Sequence, residues 1–413
     1  MSENTSAELT EDNPVDPLTL EWALEAAIKN YPSLKAAWHE IKARHGKAQQ
    51  AGLPANPILF GEIEEFGGSG DYSGTDSMTS KISISQEFQL GGKIKKRVRE
   101  AEAGVKVADL EHQVKIIEIK SQVENRFFDV FALQELLILQ EEHVELIRKV
   151  HEVVTKRVKV GDTSSLDLAK SQVELAMAEV EAERTRKELE AAKYVLASSW
   201  GAQFPRFSKI TAQYKPVPDY TEAELKEAIK QSPAWYLMET QSAEADAALN
   251  LALSERFPDL ELEAGVQHFN ETDDHAFLLG LSIPLPIFNR NQGGIAETKA
   301  LARKAQYERE AGYLEFYTQL QDAWQNLDSS RKAVQSLEIR VIPVAQSAYE
   351  SINKAYKAGE LDILSLLDAQ RTWVETRRIH LALLQELERN RIEIERLIGK
   401  GNLTAPKLSL NDQ

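Results

Sequence analysis

The side chains best placed to do chemistry in this 413-residue chain are carboxylates. Sixty-five Asp and Glu stand against 49 Lys and Arg, a net charge of −16. Such a balance draws cations and repels phosphate backbones, so nucleic acid is not an expected partner. Glu261 and Glu263 alternate with Leu260, Leu262, Ala264 and Val266, the period of a strand with one apolar and one wet face. Asp167 lies six residues past Gly161, and Asp362 and Asp368 lie three and nine past Gly359. Glu64-Glu65 and Asp273-Asp274 read as solvated strand or loop ends, and no phosphate loop, GxSxG elbow or dinucleotide fingerprint occurs. The eight histidines (His39, His45, His112, His143, His151, His268, His275, His380) show no HExxH or other close ligand spacing. With four Met and no Cys, no disulfide, thiolate site, dedicated metal site, cofactor or enzymatic activity is expected.

The elements that must position these residues are long helices. No proline occurs between Pro57 and Pro205, and no glycine between Gly104 and Gly161 or between Gly161 and Gly201. Apolar residues recur at three and four from Leu110 to Val158, which predicts a helix of roughly 100 Å with coiled-coil packing. The second half repeats the first. Ala27 to Pro32 recurs as Ala228 to Pro233, Val160 to Leu168 as Ala358 to Leu366, and Gly91-Gly92 as Gly293-Gly294.

The sequence therefore divides into a flexible N-terminal segment, 1–17; a first repeat, 18–200; a connector, 201–220; a second repeat, 221–400; and a C-terminal tail, 401–413. The first repeat holds a helix, strands at about 58–66 and 79–88, a long helix 93–160 and a returning helix 165–199. The second holds a helix, strands at about 259–268 and 276–285, a long helix 294–358 and a returning helix 362–399. Pro343 should kink or relax its helix. No window is apolar enough for a helical membrane span, but alternating strands leave almost no hydropathy signal, so a transmembrane barrel stays open. Met1 to Pro17 has no basic region followed by an apolar stretch, so no signal peptide is expected within it. Four strands emerging from such helices are too little sheet for a core of their own. They are expected to close with strands of other subunits.

These features together resemble the outer-membrane efflux protein (TolC-like) family over about Leu18 to Gly399. The carriers are the duplicated plan, the hairpin tips Val160-Gly161 to Leu168 and Ala358-Gly359 to Ala369, and Val341 to Ala345. Pro284-Leu285-Pro286-Ile287-Phe288-Asn289-Arg290-Asn291-Gln292-Gly293 is similar to the heavy-metal efflux branch. The resemblance implies a mainly α protein with a small β part: duplicated coiled-coil hairpins plus four strands per protomer. Three protomers would close a 12-stranded outer-membrane β-barrel continued by a periplasmic α-helical barrel.

It further implies an exit duct for heavy-metal cations, or otherwise for drug efflux or type I secretion. The implied partners are a homotrimer, outer-membrane lipid, a periplasmic adaptor and an inner-membrane resistance-nodulation-division pump. A soluble coiled-coil scaffold would explain the helices but not the alternating hairpins. On this reading Glu261 and Glu263 face the barrel lumen, and Asp167, Asp362 and Asp368 are pore or aperture candidates. Gly161, Leu166, Gly359 and Leu364 are candidates for adaptor docking at the tips. The chain departs from the best-known family pattern at Ser365, where an aspartate stands, and at Leu361, where an arginine latch stands.

Overall fold

Proline and glycine punctuate this chain, and many of its elements begin or end beside one. Residues 16–214 and 216–399 are described by the structure, a computed structural model. The expected N-terminal segment, save its last two residues, and the expected tail lie outside the described residues. The first half runs α1 (Leu20–Asn30), α2 (Pro32–Ala51), β1 (Ile58–Glu64), β2 (Thr79–Phe88), α3 (Lys93–Lys159) and α4 (Ser165–Ser198). The second runs α5 (Glu222–Ile229), α6 (Pro233–Ser254), β3 (Leu260–Phe269), β4 (Asp274–Ser282), α7 (Gln292–Ser336), a π-helical turn (Leu337–Val341), α8 (Ile342–Ala358) and α9 (Ile363–Leu397).

Three elements differ from the sequence reading. The helix that opens each repeat is a pair of helices, because a proline, Pro32 or Pro233, starts a new helix where its missing N–H costs nothing. The helix expected over 294–358 is broken by the π turn. Pro343 has no N–H to give to the carbonyl four residues back, and the wider turn just before it absorbs the mismatch. The second hairpin is longer toward its loop and shorter at its far end. Pairing continues to Phe269 opposite Asp274, with Asp273 taking a left-handed φ of 60° in the turn. At the other end Pro284 and Pro286 lack ladder donors, and the strand stops at Ser282.

The described chain divides into two compact units. One, comprising Ala36–His112 and Pro233–Leu314, holds an antiparallel sheet of order β1-β2-β3-β4. β2 of the first half pairs with β3 of the second over ten residues, Thr79↔Phe269 to Phe88↔Leu260. The joint between sheet and helix is pinned by Lys93, whose side chain is 6% exposed and lies 2.7 Å from Asp259. Arg97 adds bonds from its guanidinium to the Ala51 and Leu53 carbonyls. Trp235 stacks on Tyr313 with ring centroids 4.0 Å apart.

The other unit comprises Gln113–Ser232, the chain before Ala36 and the chain from Glu315 onward. Its core is aromatic and branched: Phe127, Phe128, Ile119, Val130, Leu196, Ile210 and Leu18 are almost fully buried, each contributing roughly 1.5–3 kcal/mol on burial. A single backbone ladder step, Leu18↔Ile210, ties the chain's start to the connector. Nearer the helix ends the packing thins to α3 and α4 meeting through Val144, Ile147, Ala178 and Ala182. α3, α8 and α9 meet through Val150, Val154, Tyr356, Ile363, Leu366 and Leu367.

Candidate functional site

The two helical hairpins, α3–α4 and α8–α9, turn through one device. Gly161 and Gly359 sit at φ of 76° and 81°, where any side chain is strained and glycine is not. Around each, the next two N–H groups return to the helix just ended. Gly161 donates to the Val158 carbonyl and Asp162 to that of Arg157; Gly359 donates to Tyr356 and Glu360 to Ala355. Both are Schellman ends. The following helices are capped by side chains, and here the two tips exchange residues. In the first, the Ser164 hydroxyl accepts from the Asp167 N–H at 3.2 Å. In the second, the Asp362 carboxylate accepts from the Ser365 N–H at 2.9 Å. Serine and aspartate have traded the cap and third-residue positions, so each tip keeps one such carboxylate.

Hydroxyls from Thr163 and Ser164 donate to Asp167 at 2.8 and 2.9 Å and hold its carboxyl below the usual range. The Ser365 N–H, then its hydroxyl, does the same for Asp362, while the charge of Asp167 pushes the other way. Asp167 and Asp362 are thus electrostatic neighbours. Asp368 is exposed, and lines a groove of about 450 Å³ with Lys170, Glu174, Leu364 and Arg371. Arg371 is paired with Glu174 there. Leu166 and Leu364 are exposed, as are Val160 and Leu361, whereas Leu366 beside them is buried.

In the sheet, register sorts the side chains by face. One face carries Leu59, Ile63, Ile82, Ile84, Leu262, Val266, Phe277, Leu279 and Leu281, all exposed. Phe277 and Leu279 reach 95% and 86%, a contiguous apolar surface far beyond the scattered leucines of soluble proteins. The opposite face carries Glu261 and Glu263, together with three charged residues that sequence reasoning did not single out: Glu62, Glu87 and Lys81. Glu87 stands directly opposite Glu261. Glu263 accepts from Ser83 at 2.6 Å and lies 3.1 Å from Lys81, so its charge is locally offset, whereas among the described residues no cation pairs with Glu87 or Glu261. Gly265 on this face has no room for a side chain beside Ile82 and Ser83, and a side chain at Gly280 would press on Glu263. Among the described residues β1 and β4 each have a strand on one side only.

The outer membrane efflux protein family matches residues 23–202 and 225–400. The chain belongs to that family. As an outer-membrane efflux protein it resides in the outer membrane, and the apolar sheet face is what such a place requires. The cobalt-zinc-cadmium resistance protein CzcC of Cupriavidus metallidurans is 30% identical over 388 residues, 93% of this chain and 90% of that protein. The pyoverdine export outer membrane protein OpmQ of Pseudomonas aeruginosa is 23% identical over 380 residues, 86% of this chain and 79% of that one. Among solved structures, CusC superposes with a TM-score of 0.77 at 18% identity, covering 94% of each chain. The mainly helical protomer with a four-stranded sheet is therefore the fold of the outer-membrane efflux channels, as the sequence resemblance implied. A soluble coiled-coil scaffold does not fit this membership.

Proposed function

We propose that this protein is the exit duct of a tripartite resistance-nodulation-division efflux system, and that it conducts heavy-metal cations passively and catalyses no reaction. The observation that carries the reading is the sheet: an apolar, water-exposed face bounded by two open edges. In a bilayer every backbone group needs a partner, so β1 and β4 must pair with strands of other copies. Three copies with four strands each close the barrel, with Glu87, Glu261 and Glu263 turned to the lumen. Tripled, the Glu87–Glu261 pair forms a carboxylate ring that concentrates cations. At the hairpin tips Asp167, Asp362 and Asp368 are the aperture acids, and exposed Leu166 and Leu364 beside Gly161 and Gly359 offer an apolar seat for a periplasmic adaptor, which couples the duct to the inner-membrane pump.

Heavy metal as cargo is supported by the 30% identity to a cobalt-zinc-cadmium resistance protein. The likeness to a pyoverdine export protein favours a second reading, a duct for drug efflux or type I secretion. Growth of a strain lacking this protein across matched panels of metal salts and lipophilic drugs separates them. Sensitivity confined to certain metals is expected. Sensitivity to drugs alone keeps the duct and removes the metal cargo.

A further inference from the structure

The β3–β4 hairpin brings together two imidazoles that stand seven residues apart in sequence. Because pairing extends to the turn, His268 lies opposite His275. Their Nδ1 atoms are 3.1 Å apart, and the rings tilt by 38° with centroids at 4.6 Å. His275 is exposed, and 31% of the His268 side chain remains open to water. Two metal–nitrogen bonds of about 2.0–2.1 Å, meeting at the roughly 90–110° of octahedral or tetrahedral geometry, hold their nitrogens about 2.8–3.4 Å apart. The observed separation lies in that interval.

The other groups around the pair favour a cation. Glu271, Asp273 and Asp274 surround the turn, and no lysine or arginine occurs between Arg256 and Arg290. In the metal-free pair one Nδ1 carries a proton and the other accepts it. His268 Nδ1 also lies 3.2 Å from the Asp274 carbonyl oxygen. Binding needs the donor ring to move its proton to Nε2, which in His268 faces the Asp273 carboxylate at 3.9 Å. A carboxylate there favours that tautomer once it closes from 3.9 Å to hydrogen-bond distance. Among the described residues no group of three or more His, Asp or Glu is arranged around a metal, so two nitrogens and water would make up the coordination.

We propose that His268 and His275 form a binding site for divalent transition cations at the turn of the second hairpin. The class is set by the donors. Imidazole nitrogen suits Cu²⁺, Ni²⁺, Co²⁺ and Zn²⁺, while Mg²⁺ and Ca²⁺ prefer oxygen. The site rests on the hairpin's own geometry, not on metal export, so its failure leaves the proposed cargo standing and the growth panel cannot rescue it.

The test uses the full chain in detergent, purified without a histidine tag. Calorimetric titration with Ni²⁺ is expected to give one site per chain, and the Cu²⁺ electron paramagnetic resonance spectrum to carry coupling from two imidazole nitrogens. His268→Asn and His275→Asn should each weaken Ni²⁺ binding about tenfold or more and leave one coupled nitrogen, with the circular dichroism unchanged. If a variant does not fold, protection of both histidines from diethyl pyrocarbonate by Cu²⁺ in the unsubstituted chain decides. A wild-type chain that binds no Ni²⁺, unchanged affinity and spectrum in both variants, or histidines left unprotected by Cu²⁺ would overturn the site.

Discussion

The two hairpin tips are built from one plan with different residues, and the difference separates what geometry demands from what it permits. Glycine is kept at both, since Gly161 and Gly359 share a left-handed φ. The cap is not: Ser164 serves one tip and Asp362 the other, with Asp167 and Ser365 in the complementary places. A turn that needs positive φ tolerates one residue type, whereas a cap needs only an oxygen acceptor on a short side chain. The helices leading in differ as well. α3 reaches its tip as one unbroken helix, while α8 follows a π turn beside Pro343. One carboxylate per tip has survived the exchange, and each is held ionised by hydroxyl and N–H donors.

The strongest challenge to this likeness is a β-branched residue at the turns. Gly161→Val and Gly359→Val should each destabilise by about 1–2 kcal/mol, the cost of a left-handed residue, and by similar amounts at both tips. Thermal melts followed by circular dichroism read this, and a large loss at only one tip would break the equivalence. Next in size is the cap. Ser164→Ala should cost about 0.5–2 kcal/mol and increase hydrogen exchange at the Asp167 amide while leaving Ser365 protected. Asp362→Ala should do the reverse.

Acid probes the same contacts more gently. Both aspartates titrate below the ordinary carboxylate range in the folded tips. Their stabilising contribution is therefore complete above the unfolded-state pKa, near 3.9, and is lost as pH falls through the lower folded values. Amide exchange at 158–168 and 355–366 should rise together in that window below pH 4. The smallest effect belongs to the double exchange Ser164→Asp with Asp167→Ser, which rebuilds the second tip's cap in the first. It should leave the melting temperature unchanged, and a clear fall would mean that the cap residues are matched to their own helices.

Much of this was legible in the sequence because it is periodic or local. The tip glycines, the strand faces around Glu261 and Glu263 and the duplicated plan all repeat at short range or at one offset. What escaped is set by register between distant segments. Lys81 meets Glu263, and Glu87 faces Glu261, across a β2–β3 pairing that joins the two halves, and no periodicity within either half reveals it. His268 and His275 looked unrelated at seven residues because the loop was expected to begin at Phe269. Only when pairing continues to Phe269 and Asp274 do the imidazoles meet. The π turn was half visible: Pro343 announced a disturbance, but not that the helix would widen into a π turn.

The central claim is that the sheet is a third of a closed barrel. Native mass spectrometry of the protein released from detergent micelles counts the chains directly. Three copies of the 46.4 kDa chain are expected. A monomer, stable and soluble without detergent, would contradict the account.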